Sequence, residues 1–286
     1  MISSTHQGIA ICAIDAFSEV PLGGNGATVV LLDKAACTNW MQDLATELAQ
    51  SETAFLWHNK QQWCLRWFTP SCEVTLCGHA SLAAGLALYQ WGKIDLGEEY
   101  FFSTSSGNLR IEVHSAKLAS LDLPTTGLTP RIQEPWMAEL LGTSLLNQWS
   151  SGLAYGVLLV SANFPIGRLD PHNPVWRNGP EKAWLVMQAA ETPHHYQLRF
   201  FAPGLGISED PVTGSAHALV APWWCEQLNL SQVSGWQPSQ RPGGMLCIPQ
   251  KNGQIRIKGS GTLLWKGELP WISTNSDGEA WKKQNA

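Results

Sequence analysis

Three short segments of the sequence combine ionisable side chains with glycine or other small residues. Ser-Glu-Thr-Ala-Phe at 51–55 places Glu52 between an amphipathic helical pattern and an apolar, strand-like run. Cys-Gly-His-Ala at 77–80 places His79 at a predicted helix start, and Glu-Asp-Pro-Val-Thr-Gly-Ser-Ala at 209–216 places Asp210 before another. Because carboxyl and imidazole groups are the usual acids and bases of enzymes, these three residues are candidates for proton transfer.

The two predicted helix starts are also candidates for binding an anion. Amide groups in the first turn of a helix lack intrahelical partners, and glycine lets a ligand come close to them. We therefore expect Gly78 on one side, and Thr213, Gly214 and Ser215 on the other, to hold a small carboxylate or phosphate.

Simpler interpretations of the same residues stay open. Glu52 is a solvated carboxylate at a helix end in one of them, and Asp210 or Thr213 is only a helix N-cap in another. Cys77 is either a reactive thiol or a small buried residue, and we favour the second. Ser215 lies outside a G-x-S-x-G pattern, so a hydrolase nucleophile is not supported.

The sequence contains an internal repeat. Arg-Trp-Phe-Thr-Pro at 66–70 recurs as Arg-Phe-Phe-Ala-Pro at 199–203, and Gly-His-Ala at 78–80 then aligns with Gly-Ser-Ala at 214–216. Each copy predicts a strand, a proline-bearing loop and a helix start. A repeat period above about 130 residues indicates two similar domains rather than a solenoid.

The order of the predicted elements favours an α+β fold. Hairpin patterns dominate and strands do not alternate regularly with helices, so each half is expected to hold a mainly antiparallel or mixed sheet. Helices are predicted over 78–91 and 214–228, and a closing hairpin around Gly259-Ser260-Gly261. We place the halves at 1–123 and 124–286, with the terminal segment left free to pack back on the first.

The amino-acid composition argues against several classes of protein, including nucleic-acid-binding, exported and disulfide-bonded ones. The formal net charge is −5 and the isoelectric point is near 5.9, so nucleic acid is not an expected partner. No export signal and no apolar run of membrane-spanning length is present. The seven cysteines lack C-x-x-C spacing, which favours a reduced, cytoplasmic protein over a disulfide-bonded one.

The three segments, in this order and spacing, resemble the phenazine-biosynthesis PhzF-like family. The likeness spans residues 11 to about 268 and includes Asp-Ala-Phe at 15–17 and Gly-Asn-Gly at 24–26, where the family usually has Gly-Asn-Pro. It implies a diaminopimelate epimerase-like fold: two pseudo-symmetric domains, each a sheet curled around a central helix, with the active site between them.

The resemblance also implies an activity. The characterised phenazine enzyme isomerises a dihydro-hydroxyanthranilate by glutamate-mediated proton transfer, without a metal or an organic cofactor. Motif by motif, that glutamate falls on Glu52, and the substrate-holding residues fall on His79, Asp210 and Ser215. We expect the second half to close over Glu52 when substrate binds, and this burial to raise the pKa of Glu52 toward neutrality.

The predicted protein is thus a cytoplasmic isomerase for a small anionic or amino-acid-like substrate, with a homodimer left open. Two alternatives remain. One is an amino-acid racemase or epimerase that uses Cys77 with a non-thiol partner. Related epimerases carry one of two catalytic thiols at the position of Cys77, but the second-half loop offers Asp210 and Pro211 and no cysteine. The other alternative is a binding protein that keeps the fold without turnover.

Overall fold

A computed structural model describes residues 8–132 and 134–270, which form two compact units. The first unit contains the described residues up to Pro21, Gly26–Leu121, and the described residues from Ser260 onward. The second contains Leu22–Asn25 and Asp122–Gly259. The chain therefore passes from the first unit to the second at Leu121, and its last described segment belongs to the first.

The first unit is built on a mixed sheet with two helices. Its strands are β1 (Ile9–Ala16), β2 (Asn25–Leu31), β3 (Glu52–His58), β4 (Trp63–Phe68), β5 (Glu73–Val74), β6 (Glu99–Thr104), β7 (Gly107–Ser115) and β8 (Leu118–Pro124). Its helices are α1 (Thr38–Leu48) and α2 (Gly78–Gln90). The strand order is β1-β2-β3-β4-β6-β7-β8, with β5 paired to β4. Parallel pairs (β2 with β3, β4 with β6) alternate with antiparallel ones (β3 with β4, β6 with β7).

Helix α2 is the central helix of the first unit. Of its 13 residues, 10 are buried, and it contacts β1, β3 and β7. A helix that is apolar on all sides must be enclosed, so the sheet curls around it. Close approach depends on Gly85, where an added Cβ would lie 2.6 Å from the Ile111 side chain of β7.

The second unit repeats this arrangement. Its strands are β9 (Leu128–Pro130), β10 (Leu145–Ser151), β11 (Tyr155–Val160), β12 (Ala183–Ala189), β13 (Tyr196–Phe201), β14 (Val233–Gln237), β15 (Gly243–Pro249) and the first part of β16 (Gln254–Leu269). Its α-helices are α3 (Pro135–Leu141) and α4 (Gly214–Leu228). Along β11-β12-β13-β14-β15 the pairs again run parallel, antiparallel, parallel, antiparallel.

Helix α4 occupies in the second unit the place that α2 has in the first. It contacts β14 and β15 and is buried on most sides. Pro222 lies inside it and has no amide hydrogen for the carbonyl of Ala218, four residues earlier. The hydroxyl of Thr125 donates to that carbonyl at 2.9 Å, which allows the helix to continue through the proline.

The repeated Arg-x-Phe motif makes the same contacts in both units. Arg66 of β4 pairs with Glu73 (Nη2 to Oε2, 2.7 Å), and its guanidinium lies 5.1 Å from the ring centroid of Phe68. Arg199 of β13 pairs with Glu209 (Nη2 to Oε2, 2.8 Å), and its guanidinium lies 5.1 Å from the ring of Phe201. Together with the matching strand directions, this confirms the prediction of two pseudo-symmetric α+β domains.

One expected element is wrong. Residues 259–261 do not form a hairpin but lie within the continuous strand β16, which pairs with β15 through residues 255–258 and antiparallel with β1 through residues 261–269. Gly261 is used for packing, because a Cβ there would lie 2.4 Å from the side chain of Leu86. Among the described helices, none combines the length and the apolar character needed to cross a membrane.

Candidate active site

The first unit buries an acid–base pair. Glu52 is the first residue of β3, and the chain reaches it from α1 through Ala49, whose left-handed backbone (φ 51°) ends that helix. His79 is the second residue of α2. Its Nε2 lies 2.9 Å from Oε2 of Glu52, and the two side chains are only 6% and 18% exposed. Ser51 lies beside them, with its hydroxyl 3.3 Å from Nε2 of His79 and donating to the carbonyl of Gly26.

The pair shifts both pKa values in opposite directions. Burial alone would raise the pKa of Glu52, but the charge of His79 and hydrogen bonds from His79 and Ser51 outweigh it and lower that pKa. For His79 burial works to lower the pKa, and the neighbouring Cys77 and Glu52 reverse this and raise it well above its ordinary value. The expected upward shift of the Glu52 pKa concerns the cleft closed over substrate and stays a prediction, whereas in this structure the histidine 2.9 Å away lowers that pKa.

Cys77 adjoins the pair. Its Sγ lies 3.5 Å from Nδ1 and 3.8 Å from Nε2 of His79. Burial is the main cause of its raised pKa, which opposes formation of a thiolate nucleophile. The structure thus agrees with the interpretation of Cys77 as a small buried residue.

Glu52, Cys77 and His79 also bring three potential metal ligands within 4.8 Å of one another. Nε2 of His79 is paired with the Glu52 carboxylate at 2.9 Å, and the Cys77 thiol contacts both ring nitrogens.

Neither α2 nor α4 has a side-chain cap at its first turn. Cys77 is the N-cap of α2 and makes no side-chain bond to its first turn, and no acidic residue lies in that turn. Thr213 is the N-cap of α4, and its side chain likewise does not cap the helix. The first-turn amides that follow Gly78 and Gly214 therefore keep the partial positive charge that attracts an anion.

In the second unit Asp210 is held from two directions. Asn25 belongs to the second unit, although the rest of β2 lies in the first, and its buried side-chain amide donates to Oδ1 at 2.6 Å. The hydroxyl of Thr213 donates to Oδ2 at 2.6 Å. Asn25 also donates to the carbonyl of Val212 at 3.1 Å. The N-cap interpretation is thus correct for Thr213 by position, but its hydroxyl orients the carboxylate of Asp210 instead of capping α4.

Ser215 lies next to a tyrosine. Tyr155, the first residue of β11, hydrogen-bonds Ser215 through its side chain, and its pKa is raised by burial and by the charge of Asp210. The Tyr155 ring packs edge-on against Phe200, with centroids 4.9 Å apart. Asp210, Thr213, Ser215 and Tyr155 therefore form one polar group in the second unit.

Comparison with known proteins places the chain in a family. A family model described as "Phenazine biosynthesis-like protein" matches residues 14–267. The chain belongs to the phenazine biosynthesis-like family. An uncharacterized isomerase of Pseudomonas aeruginosa is 36% identical over 264 residues, covering 90% of this chain and 96% of the relative.

Solved structures agree with this membership. A PhzF-family phenazine biosynthesis protein of Enterococcus faecalis is 30% identical with a TM-score of 0.85, covering 93% of this chain and all of that one. A probable proline racemase of Agrobacterium radiobacter has a TM-score of 0.62 at 10% identity, covering 92% of this chain and 93% of that one. The second likeness shows the fold alone, and it confirms the predicted racemase- and epimerase-like architecture.

For this member of the phenazine biosynthesis-like family, the structure brings together Glu52 and His79 in the first unit, and Asp210, Thr213 and Ser215 in the second. That the two groups face one shared cleft stays a prediction. Tyr155 was not among the predicted site residues, since a tyrosine at a strand start carries no local signal. Asn25 belonged to the Gly-Asn-Gly motif but was not a predicted site residue, and its contact with Asp210 spans 185 positions.

Proposed function

We propose that the chain is a PhzF-like isomerase that moves a proton on a small carboxylate or amino-acid-like substrate without a metal or organic cofactor. Membership of the family and the relatives named as isomerases support the isomerase class. The observation that carries the finer proposal is the buried pair of Glu52 and His79.

Glu52 acts as the base and His79 as the charged partner. The lowered pKa keeps Glu52 ionised at neutral pH, so it accepts a proton from an acidic substrate carbon as the C–H bond breaks. The raised pKa keeps His79 protonated, and its imidazolium stabilises the negative charge that develops on the substrate. The protonated Glu52 then returns its proton to a second carbon, so the reaction needs no oxidant or reductant.

The second unit supplies recognition in this proposal. Asp210 is fixed by Asn25 and Thr213 and accepts a hydrogen bond from a substrate ammonium or hydroxyl group. Ser215 donates to the substrate carboxylate, together with the first-turn amides that follow Gly78 and Gly214. A small substrate with one anionic group and one donor fits these partners.

The test is a screen for solvent deuterium incorporation. Purified protein is incubated in D₂O with a panel of amino acids and cyclic carboxylates, a dihydro-hydroxyanthranilate among them, and each compound is followed by NMR. In the Glu52→Gln variant the incorporation rate should fall by roughly 10² to 10⁴ while calorimetric binding survives. Glu47→Gln, at an exposed position on α1, is the matched control and should keep the wild-type rate.

Other outcomes separate the alternatives. A near-normal rate in Glu52→Gln would assign Glu52 to the solvated helix-end interpretation and overturn the mechanism. Binding of a panel compound without deuterium incorporation and without conversion to an isomer in the NMR spectrum would favour a binding protein that keeps the fold.

A further inference from the structure

A buried glutamine holds the loop that leads into α4. Gln237, the last residue of β14, is fully buried. Its Oε1 accepts the backbone N–H of Thr213 at 3.0 Å, and its Nε2 donates to the backbone carbonyl of Asp210 at 2.5 Å. Only this orientation of the side-chain amide satisfies both backbone groups, since the reverse would set donor against donor and acceptor against acceptor.

A buried histidine of α4 lies near Gln237. Burial lowers the pKa of His217 to about 3, so the ring is neutral at physiological pH. Its Nδ1 lies 2.8 Å from the hydroxyl of Tyr196. The ring fits because Gly235 has no side chain: a Cβ there would lie 2.5 Å from Nδ1 of His217 and 2.6 Å from the tyrosine oxygen.

We propose that Gln237 is a positioning residue that fixes the Asp210–Thr213 loop at the start of α4. One amide ties both ends of this four-residue loop to β14, so the loop cannot shift without breaking a buried hydrogen bond. The catalytic consequence rests on the proposed function, in which this loop presents Asp210 and Ser215 to the substrate. The order of the loop does not depend on that function.

The first test measures loop order without a ligand. Amide hydrogen exchange of residues 209–214 is followed by mass spectrometry in the wild type and in Gln237→Met, which keeps the side-chain length but removes both hydrogen bonds. Exchange in this loop should become at least about tenfold faster, as expected when a buried backbone donor loses its acceptor.

Gln188→Met is the matched control. Gln188 is a buried glutamine of β12 in the same unit, and its Nε2 donates to the carbonyl of Ala162 at 3.3 Å. This variant also loses a buried amide and should leave exchange of the loop at the wild-type rate. The positioning role is overturned if Gln237→Met leaves hydrogen exchange of the loop at the wild-type rate, or if Gln188→Met speeds that exchange equally. Either result counts regardless of the enzymatic activity of the variant.

The second test separates positioning from loss of folded protein. With the panel compound that the wild type labels fastest with deuterium, Gln237→Met should raise KM about tenfold and keep kcat within about threefold, because a misplaced loop weakens ground state and transition state alike. A smaller folded fraction would lower kcat and leave KM unchanged, which would contradict the proposal. If Gln237→Met does not fold, Gln237→Asn keeps a buried amide that is too short to reach both backbone groups, and the same exchange and KM changes are expected.

Discussion

Replacing His79 by glutamine should move the acid limb of the pH–rate profile toward neutral pH. In the wild type the attraction between His79 and Glu52 at 2.9 Å amounts to about 6 kcal/mol at an effective dielectric constant of 20. Together with the hydrogen bonds from His79 and Ser51, it outweighs the burial penalty on the carboxylate. His79→Gln removes the attraction and leaves the burial. The pKa of Glu52 should then rise above its ordinary value, and the acid limb should move upward by about 1 to 3 pH units.

The assay is deuterium incorporation as a function of pH, from about pH 4 to pH 9, so that kcat/KM reports the ionisation of the free enzyme. The direction of the shift follows from the role of Glu52 as a base. Glu52 is active when it is ionised, so activity is lost as the pH falls through the pKa of Glu52. His58→Gln is the control, because His58 is an exposed histidine of the same unit and does not pair with Glu52. An acid limb that stays at the wild-type pH in His79→Gln would show that the pair does not set the state of the base.

Three further outcomes are expected. Cys77→Ala should keep a large part of the rate, because the thiol mainly fills space, and a loss of about a thousandfold or more with folding intact would favour a thiol-based epimerase. Thr125→Val should lower the free energy of urea unfolding by about 1 to 3 kcal/mol, since it removes the donor to the carbonyl that the α4 proline leaves open. Thr126→Val is the control, because its buried hydroxyl has no hydrogen-bonding partner among the described residues, and it should lower the free energy of unfolding less than Thr125→Val does. Equal losses in the two variants would show that the hydrogen bond to the Ala218 carbonyl does not stabilise α4. Gly235→Ala should cost about 1 to 3 kcal/mol in the same assay through overpacking, whereas Gly267→Ala, where a Cβ meets nothing within 4 Å, should be nearly neutral.

Much of the fold could be predicted from local patterns. The helices expected over 78–91 and 214–228 are observed at Gly78–Gln90 and Gly214–Leu228, because small and aliphatic residues on every side of a helix indicate burial. The repeated Arg-x-Phe motif predicted the duplication correctly, since the arginine and the phenylalanine ring make the same contacts in both units.

The features that could not be predicted all depend on contacts between residues far apart in the sequence. Gly261 was interpreted as part of a turn, but it serves the packing of Leu86, more than 170 positions away in the chain. The pKa of Glu52 could not be predicted from its own segment, because the group that determines it belongs to α2. Gln237 has no local signal either, since its role depends on backbone groups of a loop that precedes it by more than 20 residues.

Strand β16 has a consequence for biosynthesis. The eight residues of β1 leave the ribosome among the first of the described chain, and their antiparallel partners, residues 261–269, are among the last. A nascent chain therefore carries this edge of β1 unpaired throughout translation, and only the finished polypeptide can cover it. A premature stop before residue 261 would leave that edge open permanently, and an unpaired apolar edge strand is a template for aggregation.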